Sequence, residues 1–273
     1  MYSGTTLTTV SGRLLGAHQK IDRVARRHLD RLAPTCRFPS VREILHFEGG
    51  NGPDAIKRKS PAVNEPWHYF QPFDEADGQL LELIEDHYRA LIACLVGGDE
   101  VRAAFEAAWL AHAVVDGLTP AHHYPYEEKL VELRSGKGLA SRTTIKEKIV
   151  MPGESRGHQV KNNWKMWGPK GLFTTHTAFE WGVATLMAPL RLKQALPAPQ
   201  DVEMFLSLGP ANWFRQVAQE VASMHLYDSF YESGWTTRLA KQIRRQLAPD
   251  LVRAVTTIWY GAAKEAGVTR ARA

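Results

Sequence analysis

Residues 107–116, Ala107-Ala108-Trp109-Leu110-Ala111-His112-Ala113-Val114-Val115-Asp116, form the most apolar run of the chain, and an imidazole and a carboxylate are embedded in it. Four residues apart on a helix, His112 and Asp116 project from one face about a turn apart. Burying both without partners is costly. They can satisfy each other by a hydrogen bond, which needs no other residue, or they can close on one divalent cation. The same design recurs at His176 and Glu180, among Phe173, Ala178 and Phe179. A hydrogen bond within one pair does not account for this repetition. His122 follows Gly117 and Pro120, which end the helix and turn it back toward His112 and Asp116. With Asp54 and His68 upstream, the order of ligand types predicts a chain built around a cluster of metal ions.

With 273 residues, 44% of them hydrophobic, the chain can bury a full core as one large domain or two small ones. Cys36 and Cys94 are the only cysteines, which excludes a disulfide framework and a thiolate zinc site. Both are expected to be reduced core residues. The formal charge of +5 suits a polyanion such as phospholipid headgroups or nucleic acid, and is also common on ordinary soluble proteins. Residues 1–10 carry neither a basic start nor an apolar stretch of secretory length. No apolar run reaches the roughly 18 residues of a membrane span, so the expectation is a cytoplasmic protein without an integral membrane segment.

Helical spacing runs through almost the whole chain. Leu14, Ile21, Val24, Ala25 and Leu29 predict a first helix to about Leu32, with His18 near its start. Residues 34–72 read as a long irregular excursion, broken most strongly at Gly49-Gly50-Asn51-Gly52-Pro53 and holding Asp54 and His68. Helices are predicted over 76–96, closed by Gly97-Gly98, and over 100–116. Residues 124–175 read as an insertion over or beside the site, with charged helical pieces near 127–134 and 143–150. Further helices are predicted over 172–190, 211–231 and 235–266. No strand alternation persists, so the fold class is all-α: one multi-helix domain over 1–273 with long loops. His28, His46, His87, His123, His158 and His225 have no partner at ligand spacing and are expected to be structural or surface residues. Lys241, Arg244, Arg245 and Arg253 fit a solvated helical face better than an anion-binding patch.

The order and spacing of these residues resemble the zinc-dependent phospholipase C family, which resembles in fold the zinc nucleases specific for single strands. Gly16-Ala17-His18-Gln19-Lys20-Ile21 is similar to the family's early helical ligand histidine. Asp54 and His68, and the segment His68-Tyr69-Phe70-Gln71-Pro72-Phe73-Asp74, match the next pair. The most specific match is His112 and Asp116 with Pro120 and His122. His176 and Glu180 look like the closing pair, and the glutamate leans toward the phospholipase branch.

The resemblance implies two or three zinc ions: one held by Asp54, His68, His112 and Asp116, one by His122, His176 and Glu180, and one to which His18 and a bridging Asp116 contribute. It implies hydrolysis of a phosphate ester bond with Asp54 as proton acceptor, a phospholipid headgroup being favoured over nucleic acid. Three departures stand out. Secreted members chelate the third zinc with the amine and carbonyl of an amino-terminal tryptophan, whereas no tryptophan precedes Trp67 here. The 124–175 segment is longer than the family's and sets Trp164, Met166 and Trp167 among Lys161, Lys165 and Lys170, as a lid, a partner surface or a packed flap. Ala55 and Glu65 stand where aromatic choline-binding side chains are expected, so choline specificity does not follow. Two alternatives remain. One is a single-strand nuclease-like phosphodiesterase, in which Trp67, Tyr69 and Phe70 would stack on bases rather than pack as core. The other is a non-catalytic, metal-stabilised binding protein with closed ligand sets.

Overall fold

Apolar residues at helical spacing define each major helix, and where two such stripes face one another the elements pack. The computed structural model describes residues 1–2, 15–55, 67–138 and 141–269. Leu14 of the first predicted helix and Glu65 of the choline comparison lie outside the described residues. Helix α1 (Ala17–Leu32) buries Ile21, Val24, Ala25 and Leu29 and is followed by α2 (Val41–Glu48). Then come α3 (Gln79–Gly97) and α4 (Glu100–Gly117), joined at Gly98, whose φ of 74° gives the left-handed turn that glycine tolerates. A single 3₁₀ turn at Pro120–His122 leads into α5 (Tyr126–Leu133), α6 (Ile145–Ile149) and α7 (Arg156–Trp167). The chain continues through α8 (Leu172–Met187), α9 (Pro199–Ala222), α10 (Leu226–Ser233) and α11 (Thr237–Gln242). It closes with a π turn at Ile243–Leu247 that runs into α12 (Ala248–Glu265). The fold is all-α, with no strand among the described residues.

Helix α4 lies in the centre, packed by α3, α2, α1 and α12. That position explains its composition: the alanines at 103, 104, 107, 108 and 111 let neighbouring backbones approach, and all are buried. Trp259 of α12 is wholly buried, and its Nε1–H donates to the Ala107 carbonyl at 3.0 Å, fixing α12 against α4. The 124–175 segment has a smaller core of its own, built from Tyr126, Leu130, Leu133, Met151 and Met166, with Tyr69 and Leu172 against it.

Four expectations are corrected. The excursion over 34–72 is not irregular throughout, because α2 forms inside it behind a capping box in which Ser40 and Glu43 satisfy each other's backbone N–H groups. Helix α7, in the insertion, was not foreseen. The helix predicted over 211–231 starts earlier, at Pro199, bends at Gly209 with φ 74°, and stops before His225, so α9 and α10 replace it. Cys36 and Cys94 are free, as expected, but half-buried rather than in the core.

At the crossing of α9 and α12, Gly261 meets the buried Phe205 ring, and a Cβ added there would stand 2.1 Å from a ring carbon. Alanine at a helical position normally gains up to about 1 kcal/mol over glycine, while overpacking a rigid core costs about 1–3 kcal/mol. Gly261→Ala is therefore expected to lower the melting temperature, a result that thermal unfolding by circular dichroism checks.

Candidate metal centre

Six separate stretches of backbone deliver the site. Helix α1 brings His18, α4 brings His112 and Asp116, the 3₁₀ turn brings His122, α8 brings His176 and Glu180, a helical turn at 53–55 brings Asp54, and the irregular segment from 67 brings His68. The structure draws these residues together around Asp116. His112 Nε2 lies 3.1 Å from Asp116 Oδ2 and 3.9 Å from Asp54 Oδ1. His18 Nε2 lies 3.2 Å and His122 Nδ1 3.7 Å from Asp116 Oδ1. On the other flank His122 Nε2 and His176 Nε2 stand 2.9 and 3.2 Å from Glu180 Oε1, with their rings stacked at 5.1 Å. The His68 ring is 5.3 Å from that of His122.

Two groups the sequence reading passed over belong to the same cluster. The first is the Met1 backbone: its ammonium donates to Asp116 Oδ1 and stands 3.3 Å from Glu180 Oε1, and its carbonyl accepts from His18 Nε2–H at 2.9 Å. The second is Glu48, the last residue of α2, fully buried. Its Oε1 accepts from His112 Nδ1–H at 3.0 Å and lies 3.7 Å from His18 Nδ1. A carboxylate behind an imidazole fixes the tautomer, leaving Nε2 to face the centre.

The electrostatics follow from crowding acids in a dry place. Burial alone would raise the Asp116 carboxyl, but the Met1 ammonium, His112 and His122 outweigh it and hold Asp116 well below the usual carboxylate range. Glu180 is held low in the same way, by the Met1 ammonium and His176 against its burial. Burial pulls His112 down, yet Glu48 and Asp116 on either side hold it well above the ordinary histidine value. His122 is pushed down to about 4 by burial and by the Met1 ammonium. Behind them Asp22 is raised well above its ordinary value, first by burial and then by Glu48.

The residues fit divalent cations. His122, His176 and Glu180 form one group of imidazole nitrogen and carboxylate oxygen atoms within 4.8 Å of one another, and so do His18, Glu48 and His112, in which Glu48 is already engaged by His112 Nδ1–H. Ligand atoms about 2 Å from a shared ion stand roughly 3.3 Å apart in a tetrahedral shell, so each group would close on an ion by small side-chain shifts. His18 Nδ1, His122 Nδ1 and His176 Nδ1 are buried with no hydrogen-bond partner. Thiolates take no part, because both cysteines lie elsewhere, beside a cleft lined by Phe38 and Val268. Exposure is uneven. The rear is closed, with Glu48, His18 and Asp116 at 1% or less, while Asp54 at 17% and His176 and Glu180 at 12% open one side.

The remaining histidines have local duties. His87 pairs with Glu106 at 2.5 Å, His28 donates to the Leu192 carbonyl, His46 meets Asn51, His225 meets Asp228, and His158 sits half-buried on α7. His123, adjacent to His122, turns away and its Nε2–H donates to the Gly117 carbonyl at 2.8 Å. Comparison with known proteins adds no family: no family model, curated protein or solved structure matches the chain.

Two outcomes follow. Glu48→Gln, which keeps an acceptor but removes the charge, is expected to weaken divalent-cation affinity by roughly 10–100-fold, read by competition against a chromophoric chelator. His123 is pushed down to about 4 by burial, so between its ordinary value near 6.5 and 4 the unfolded chain takes up a proton that the folded one refuses. Its contribution is complete above 6.5 and is lost as pH falls through that window, by about 3 kcal/mol. His123→Gln should flatten the acid side of the stability profile in denaturant titrations.

Proposed function

We propose that the chain is a zinc-dependent hydrolase of phosphate ester bonds, a phosphodiesterase of the phospholipase C type. The observation that carries this reading is the convergence of His18, Asp54, His68, His112, Asp116, His122, His176 and Glu180, together with the Met1 amine and carbonyl, on one centre open along one side. Adjacent zinc ions, when bound, supply Lewis acidity toward phosphoryl oxygens and bring water within reach of ionisation at neutral pH. Asp54, His68, His112 and Asp116 are the side chains to hold one ion, His122, His176 and Glu180 a second, and His18, Asp116 and the Met1 backbone a third.

The chain's own groups divide the remaining work. Asp54 stands on the open side and accepts the proton of the attacking water on its carboxylate oxygens. Glu48 holds His112 in the tautomer whose Nε2 faces the centre. Tyr69, beside His122 with ring centroids 5.5 Å apart, is raised well above its ordinary value by burial and keeps its phenolic proton, so it offers a donor and never a competing anion. The closed rear keeps bulk water away from Asp116 and His18, where it would screen their charges.

Substrate preference rests on what surrounds the open side. Of the aromatic residues that base stacking would need, Phe70 is fully buried against Phe214, and the Tyr69 ring is stacked on Tyr126 at 5.4 Å. Both are committed to packing, which supports a phospholipid over a nucleic acid strand. Choline selectivity is no part of the proposal, because Ala55 is small and buried. Against a purely structural role stands the exposed edge of the ligand set, since structural zinc sites are closed.

Metal analysis of the purified protein is expected to find about two or three zinc equivalents per chain. Release of nitrophenol from bis-p-nitrophenyl phosphate should require them, and His112→Ala or His176→Ala should abolish both binding and turnover. Full turnover by a metal-free or His112-substituted chain would defeat the proposal. Lecithin compared with single-stranded DNA then separates the two substrate classes.

A further inference from the structure

Helix α7 presents its apolar side the wrong way round for a packed flap. Asn162 and Met166, one turn apart, are its buried residues: Met166 enters the small core, and Asn162 Nδ2 donates to the Leu133 and Pro152 carbonyls at 3.2 and 2.9 Å. On the opposite face Val160, Trp164 and Trp167 are 70, 68 and 37% exposed. Ile149 of α6 and Phe173 of α8, 54 and 39% exposed, extend the patch. It is held rigidly, because Trp167 Nε1–H donates to the Ile149 carbonyl at 2.7 Å and the Trp167 and Phe173 rings meet at 4.8 Å. Single exposed apolar residues need no explanation, whereas a contiguous rigid patch does.

Charge identifies the occupant. Residues 145–170 hold six lysines and arginines against two glutamates, a surplus of four in a chain whose whole excess is +5. Of the two acids, Glu147 is spent capping α6 through Thr144. Lys161 and Lys165 flank the Val160 and Trp164 stripe on the same helix, Lys170 follows it, and Arg156 opens it one turn before Val160; all four are exposed. Indole rings with aliphatic neighbours, rimmed by basic side chains, match the headgroup and acyl boundary of an anionic bilayer. A nucleic acid strand would use the rings and the charges but gain nothing from Val160 and Ile149.

We infer that the exposed face of α6 and α7, with Phe173, is a docking surface for an anionic phospholipid bilayer. The inference does not depend on turnover. It places the bilayer beside α8, on which Phe173 lies one turn before His176, so a lipid substrate would be met at the ligand-bearing helix.

The test is co-sedimentation of the full chain with vesicles of phosphatidylcholine, with and without phosphatidylglycerol. Binding is expected on the mixed vesicles and to be at least about tenfold weaker on phosphatidylcholine alone or at high salt. A Val160→Ser, Trp164→Ser double variant and a Lys161→Glu, Lys165→Glu double variant should each lose about tenfold or more. These side chains point into solvent, so both variants should keep the far-ultraviolet circular dichroism of the parent. Their turnover of the water-soluble bis-p-nitrophenyl phosphate should equal the parent's, which lets a failure of docking and a failure of the hydrolase reading be told apart. Absence of binding to the mixed vesicles, or equal binding by both variants and the parent, would overturn the inference. So would retention of single-stranded DNA in preference to vesicles that the Trp164 variant abolishes, since the face would then belong to nucleic acid.

Discussion

A single buried carboxylate, Asp116, is the point on which the arrangement turns. The Met1 ammonium, His18, His112 and His122 all direct a polar atom at it, from three helical elements and the start of the chain. An isolated carboxylate in that position would be driven toward its neutral form, and here its partners reverse the effect. Compensation in the structure comes from the ammonium and from His112, which lies between two acids that hold it well above the ordinary histidine value against its burial. Divalent cations would supply the same compensation with more charge in less space, releasing protons as they bind. The cluster is therefore poised for exchange: what neutralises it without metal is what metal would displace.

Rigidity comes from the helix that carries Asp116. The alanine-rich α4 lies at the centre because its small side chains admit close neighbours, and Trp259 ties it to α12. His112 and Asp116 are thus held by packing on every side, and Glu48 locks the imidazole from behind. The more exposed part of the site is where Asp54, His176 and Glu180 meet solvent. Precision at the rear and access at the front are what the proposed phosphodiesterase would need. The insertion packs against the same helix that carries His176 and Glu180, which brings the surface and the centre onto one scaffold.

Much of this was legible before any coordinates, for physical reasons that can be stated residue by residue. His112 with Asp116 and His176 with Glu180 announce themselves because helical spacing converts four residues into one face, and Gly98 and Gly117 end helices where the pattern says they should. Helix α2 was hidden by the proline and glycine around it, although Ser40 and Glu43 spell a capping box that marks its start. Missing α2 meant missing Glu48. A glutamate followed by Gly49-Gly50 looks solvated in sequence, and only the packing of α2 on α4 turns it inward. The Met1 amine left no local signal, because its role depends on where Tyr2 lands: the Tyr2 carbonyl accepts from the Ala17 N–H at 2.9 Å, and its ring meets Trp181. The predicted helix began at 211, beyond the bend at Gly209, so the turns from Pro199 were missed, and the turn at His225 was lost inside an apolar period that masks a backbone reversal of one residue.

The most direct measurement of the central claim is the zinc K-edge absorption fine structure of the purified chain. The account predicts a first shell of nitrogen and oxygen only, at about 2.0–2.2 Å, with imidazole scattering, no sulfur, and a metal neighbour at roughly 3.5–4 Å. A shell containing sulfur, or zinc coordinated without imidazole, would contradict it.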